Sequence, residues 1–228
     1  MYRKNIYLLF LLVFIIISEL SGFNMVQNQP LVMIDPAGHA KNVGRRLVES
    51  YERGETFKFA EKLKDALNEK YGIRSVLTRF PGEEIIDLQN ASFANRLQVS
   101  FYFSLHIYRE SGVKPKIYIY HLVYDPIVDL AKRTIDELLF VPINRAHFAN
   151  ITTTMFFGRK MKEVLSQSNY QKQFDFYGPY GIPFKPLIGI TAPAIGIEVG
   201  IDQEDKWQNL IDPLVESLSF LGHNQFIQ

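Results

Sequence analysis

Short apolar runs alternate along this chain with longer stretches in which apolar residues return every third or fourth position. "LVMID" at 31–35, "RSVLTR" at 74–79, "VSFYFSLHIY" at 99–108 and "PAIGIEVG" at 193–200 read as strands, the first and last as buried ones. "KIYIYHLV" at 116–123 alternates strictly, as a strand exposed on one side does. Between them, "GETFKFAEKLKDALNEKYG" at 54–72 predicts a helix with Phe57, Ala60, Leu63 and Leu67 on one face and Gly72 closing it. "EEIIDLQNASFANRLQ" at 83–98 predicts a second helix. "DPIVDLAKRTIDELL" at 125–139 opens a third with Asp-Pro, a fourth spans Thr152 to Gln167, and a last one runs near Asp205 to Leu221. Asn169 to Pro186 reads as a long loop. Strands separated by helices imply an α/β domain built on a largely parallel sheet.

The first segment breaks this pattern. "MYRKNIYLLFLLVFIIIS" places Arg3 and Lys4 ahead of an unbroken apolar stretch from Ile6 to Ile17, followed by the small polar exit "SELSG". Residues 1–22 are therefore expected to be an export signal, or an N-terminal membrane anchor if uncleaved, with the folded domain at 29–222. The apolar centre is shorter than the roughly 20 residues of a spanning helix, which favours cleavage. An exported chain, periplasmic or held at the cell envelope, is the expectation, and membrane association would run through this segment. The absence of cysteine suits that compartment and excludes disulfides and cysteine metal sites. A formal net charge of +1 in 228 residues excludes nucleic acid as the expected partner.

In parallel sheets ligands sit at the carboxyl ends of strands, and that is where the anomalous residues of this sequence fall. His39 follows the first strand, and His106 closes "FSLH" on the third. Glu198 is the only ionisable residue in "APAIGIEVGI", where an unpaired carboxylate would be costly. Glu52 and Glu55, in "SYERGETF", stand at the mouth of the first helix. Two imidazoles and a carboxylate with an open position are a ligand set for catalytic zinc, and a second carboxylate can serve as base. Each residue also has a plainer reading: a loop histidine, a hydrogen-bonded strand histidine, a solvated glutamate, half of a salt bridge.

Five blocks in order carry a resemblance: "IDPAGHA", "ERGETFKFAEKL", "LTR" with "LQNASFAN", "FSLH" and "PAIGIEVG". Over roughly Leu31 to Leu221 the chain resembles the zinc-dependent N-acetylmuramoyl-L-alanine amidases of the type 3 class, which detach the stem peptide from bacterial peptidoglycan. The resemblance implies a single three-layer α/β domain with a mixed, mainly parallel sheet of about six strands flanked by helices. It implies zinc held by His39, Glu52 and His106, catalysis by Glu198, and peptidoglycan as partner and substrate. Glu52 is preferred to Glu55 because it stands eight residues ahead of Ala60.

The departures from the family pattern are specific. An extra residue gives Asp-Pro-Ala-Gly-His where the family has Asp-Pro-Gly-His, and Gly38 offers the freedom to absorb it. Asn90 stands where the family places an arginine, and Asp35 is expected to fix the loop or bond the histidine. These departures keep a second function open, an amidase-fold domain that binds cell wall or a protein partner without cutting, beside a third, a zinc hydrolase of another extracellular peptide. In "YQKQFDFYGPYGIPF", Tyr177, Tyr180 and Phe184 either contact sugar or pack the loop onto the domain. Lys185 stands where the family often has a basic residue. His121 is expected at the surface, and His147 and His223 lie outside every matched block.

Overall fold

The computed structural model describes residues 30–86, 88–123 and 143–222. The expected export segment, the helix expected at 125–139, and His223 lie outside the described residues. Within them are six strands and four α-helices: β1 Leu31–Pro36, α1 Glu52–Tyr71, β2 Arg74–Leu77, α2 Gln89–Leu97, β3 Phe101–Arg109, β4 Lys116–Leu122, α3 Ile151–Leu165, β5 Asp175–Ile182, β6 Ala194–Ile201 and α4 Ile211–Ser217. Among the described residues no helix is long and apolar enough to cross a membrane.

The strands form one sheet in the order β2-β1-β3-β6-β4-β5. β2, β1, β3 and β6 run parallel, while β4 lies antiparallel to β6 and carries β5 parallel to itself. This is the mixed, mainly parallel six-stranded sheet the resemblance implies. The side-chain period of two divides each central strand between two environments. Val32, Ile34, Phe101, Phe103, Leu105, Ile107, Ile195, Ile197 and Val199 face one core beneath α1, α3 and α4, whose Phe59, Leu63, Phe157, Met161 and Leu214 complete it. Met33, Tyr102 and Ala194 face the other side, where α2 and the segment through Leu187 and Ile190 cover a smaller core. Helices on both faces make the third layer.

The first helix starts earlier than the apolar period alone suggests, at Glu52, and ends where Gly72 turns left-handed and donates its N–H to Asn68 O while Ile73 N–H donates to Leu67 O. Its inward positions 52, 55, 56, 59, 60, 63 and 67 follow the helical period, so both glutamates of the first turn point inward. Three expectations are corrected. The second helix begins only at Gln89, because Leu88 adopts a left-handed conformation (φ 63). Asn169 to Pro186 is no loop throughout, since Asp175–Ile182 adds to the sheet as β5. The last helix is broken into 3-10 turns at Glu204–Leu210 and Ser219–Gly222 on either side of α4.

Candidate functional site

The site begins with β1. Asp35 is buried and its carboxylate takes hydrogen bonds from the Thr78 hydroxyl (2.7 Å), the Asn90 amide (2.8 Å) and the Ser104 hydroxyl (3.2 Å). It thus ties β1 to β2, α2 and β3, and it reaches His106 only through Ser104, whose Oγ lies 3.1 Å from His106 Nε2. Asn90, in the place of the family's arginine, is one of the groups that hold it. The inserted residue is absorbed as an extension of the sheet: Ala37 N–H donates to Leu105 O at 2.9 Å, and only then does Gly38 (φ 78) turn the chain. Arg79 fixes this turn by donating to the carbonyls of Pro36 and Ala37, and Thr56 donates to Ala37 from the other side. His39 therefore leaves the sheet one residue later and lines a cleft of about 370 Å³ together with His106, Arg79, Asn90, Ile86 and Lys185.

Glu52 comes to the same rim from the start of α1. There its negative charge lies at the favourable end of the helix dipole. Its side chain is buried, and its oxygens are filled by protein donors. Oε2 accepts from the Arg45 backbone N–H (3.0 Å) and from Arg45 Nε (3.1 Å). Oε1 accepts from Arg45 Nη2 (3.0 Å) and from the Ile107 N–H (3.2 Å), and His106 Nδ1 stands 3.3 Å away. Burial by itself would push this carboxyl up; the bonds from His106 and Arg45 overcome it and hold it down at about 2. The close approach requires Gly44, which is left-handed (φ 73) and whose missing Cβ would stand 2.7 Å from Glu52 Oε2.

Glu198 is the neighbour of His106 across β3 and β6 and of Tyr118 across β4. Its Oε1 lies 2.9 Å from Arg45 Nη2, so one guanidinium nitrogen bridges the two glutamates. The same guanidinium lies over the Tyr108 ring, 5.3 Å from its centroid. Burial works against the charge on Arg45, and Glu52 and Glu198 more than offset it. Burial and the Glu198 carboxylate together push the Tyr120 hydroxyl up to about 12.

These placements test the expected zinc set. Glu52 and His106 meet at 3.3 Å, while His39 lines the cleft that His106 also borders. Among the described residues no group of three His, Asp or Glu side chains stands together to hold a metal ion. The donor chemistry agrees. An ionised carboxylate has about four lone-pair positions, and the Glu52 oxygens already face Arg45, Ile107 and His106. Both ring nitrogens of His106 are also engaged, one toward Glu52 and one toward Ser104. As arranged, the residues do not fit zinc. His39 Nδ1 is buried and without a hydrogen-bond partner.

Glu55, the alternative to Glu52, faces elsewhere, accepting from Trp207 Nε1 at 3.0 Å and from Lys58 at 2.7 Å. The aromatic residues of β5 and of the turn after it pack rather than present open faces: Tyr177 stacks on Tyr118 at 4.7 Å, Phe184 stacks on Tyr120 at 5.4 Å, and Tyr180 alone of the three is about half exposed, at 47%. His121 is half-buried on β4 and His147 is buried against Phe148; burial pushes both imidazoles below their ordinary range. The residue that inspection of the sequence missed is Arg45. Its only signal is the pair of arginines in "NVGRRLVES", a cationic loop just ahead of Glu52.

No protein-family model matches the chain, and no curated protein does either. Solved structures do. The N-acetylmuramyl-L-alanine amidase Ami1 from Mycobacterium smegmatis is similar over 86% of this chain and 98% of its own, with 14% identity and a TM-score of 0.59. The catalytic domain of the N-acetylmuramoyl-L-alanine amidase CwlV from Bacillus (Paenibacillus) polymyxa var. colistinus covers 87% of this chain and 98% of its own at 14% identity and a TM-score of 0.56. An N-acetylmuramoyl-L-alanine amidase from Clostridium difficile 630 covers 85% and 95% at 17% identity and a TM-score of 0.51. At these identities the likeness is one of fold, and the fold is that of cell-wall amidases.

Proposed function

We propose that this domain engages bacterial peptidoglycan where the stem peptide joins N-acetylmuramic acid, and that it holds this junction without cutting it. The observation that carries the reading is the bridging of Glu52 and Glu198 by one Arg45 nitrogen, at 3.0 and 2.9 Å, in a domain with the amidase fold. A glutamate that must take a proton from water works best with its carboxylate free to meet that water, and an arginine in bonding distance occupies it instead. What remains is a recognition cleft. Asn90 and Asp35 fix its floor, and Arg79 holds the turn before His39. His39 and Lys185 present polar and cationic groups to a ligand rich in amides and carboxylates, beside the His106 ring.

A second reading, hydrolysis of the amide between N-acetylmuramic acid and L-alanine by a zinc enzyme, is favoured by a separate observation. All of the residues that the resemblance names are present, and the buried Nδ1 of His39 has no partner. In that reading His39, Glu52 and His106 would hold the metal and Glu198 would handle the proton, and Arg45 would first have to leave. The two readings part on one experiment. The full chain is mixed with purified peptidoglycan in zinc-containing buffer, and both co-sedimentation and newly released L-alanine amino termini are measured. Binding without release, weakened in Lys185→Ala and Asn90→Ala, is the result expected. Release that disappears in Glu198→Gln establishes the hydrolase instead, and the absence of both binding and release removes peptidoglycan as the ligand. The chain's export to the envelope is proposed on the same footing, from the character of residues 1–22.

A further inference from the structure

The counter-charge of the Glu52–Glu198 pair is covalently part of the chain. Glu52 is 3% exposed, and a carboxylate at that depth is costly unless a cation or several donors meet it. Arg45 does both, giving Glu52 a two-toothed guanidinium contact and a backbone N–H, and reaching Glu198 with the same Nη2. The planar fork of arginine suits this geometry in a way a lysine ammonium does not. The loop is built for it. Gly44 leaves room for the Glu52 carboxylate, Glu52 N–H donates back to Arg45 O at 2.8 Å, and the Tyr108 ring supports the guanidinium from beneath. Yet the Arg45 side chain is 41% exposed, so it stands at the mouth of the site and not under it.

We propose that Arg45 is a tethered cation at a position a divalent metal would otherwise take, so that guanidinium and metal exclude each other at the Glu52–Glu198 pair. The wild-type domain then keeps its fold and its cleft without metal, and loss of the guanidinium opens the pair to a soluble cation. The inference deepens the proposed function, because it makes ligand binding independent of metal, but its main test does not depend on the identity of the ligand.

The test is thermal unfolding of the full chain in chelator and in zinc, for wild type, Arg45→Met and Arg45→Met/Glu52→Gln. The wild-type midpoint is expected to be the same in both buffers. Arg45→Met is expected to fall by about 5–10 °C in chelator, as a buried carboxylate stripped of its guanidinium requires, and to recover part of that in zinc. The double variant, which no longer buries a carboxylate lacking its guanidinium, is expected to unfold near the wild-type midpoint and to ignore zinc. If Arg45→Met does not fold, Arg45→Lys takes its place, with a smaller loss and a smaller zinc response. A wild-type midpoint raised by zinc overturns the proposal, as does an Arg45→Met midpoint that is unchanged or that falls without recovering in zinc. Co-sedimentation with peptidoglycan in chelator forms a separate arm. If binding is absent there while the unfolding pattern holds, the ligand is wrong and the role of Arg45 stands.

Discussion

The two faces of strands β3 and β6 are made from alternate residues of the same short stretches of chain, and they do opposite work. Phe101, Phe103, Leu105 and Ile107 on β3, with Ile195, Ile197 and Val199 on β6, point into the core under α1, α3 and α4 and are fully buried. The residues between them, Ser104, His106 and Tyr108 on β3 and Gly196, Glu198 and Gly200 on β6, make the face on which the carboxylates, imidazole and phenol gather. The apolar face is held by burial that any hydrophobe of the right volume can provide. The polar face is held by specific partners: Asp35 by Thr78, Asn90 and Ser104, and Glu52 by Arg45, Ile107 and His106. Stability on the first face is therefore spread over many contacts, and on the second it hangs on a few groups whose loss strands a buried charge.

The sharpest break of this comparison is Phe103→Ala, which empties a fully buried ring site. It should cost about 3–5 kcal/mol in urea unfolding. The polar face should keep whatever ligand affinity the folded fraction shows. Next in size is the acid limb. Glu52 is held at about 2 against its ordinary 4.5, so its contribution is fully present above pH 4.5 and is lost as pH falls through 2. Unfolding free energy measured down this range should fall for wild type and stay flatter in Glu52→Gln, which begins lower at neutral pH. A parallel decline in both proteins would show that the carboxylate is not held as described. Asn90→Ala is smaller still, about 1 kcal/mol, because Thr78 and Ser104 remain on Asp35. The smallest is Tyr180→Ala, expected within about 0.5 kcal/mol, since the ring is about half exposed at the sheet edge.

The same contrast explains what could be read from the sequence. The apolar face announces itself by period, so β1, β3, β4, β6 and α1 fall close to where the pattern places them. β5 did not, because Gly178, Pro179 and Gly181 punctuate it like a loop, and only its place at the edge of the sheet lets a proline sit there. The apolar run of the second helix extends back through Ile85 and Ile86, but the left-handed backbone of Leu88 starts the helix only at Gln89. On the polar face Glu52, His106 and Glu198 were visible as anomalies at strand and helix ends, and they do come together around one rim. His39 was visible too, but where it points depends on how a single inserted residue is accommodated, and Ala37 settles that by pairing with Leu105. Arg45 is harder to find. A loop arginine is ordinary by composition, and its pairing with Glu198 spans most of the chain.

The central claim is that a guanidinium, and not a metal, balances the two glutamates. Elemental analysis of the purified full chain after equilibration with zinc and removal of the excess tests it most directly. The account predicts that wild type retains far less than one zinc per chain and that Arg45→Met retains more. Stoichiometric zinc in wild type, lost in His39→Ala, would contradict it.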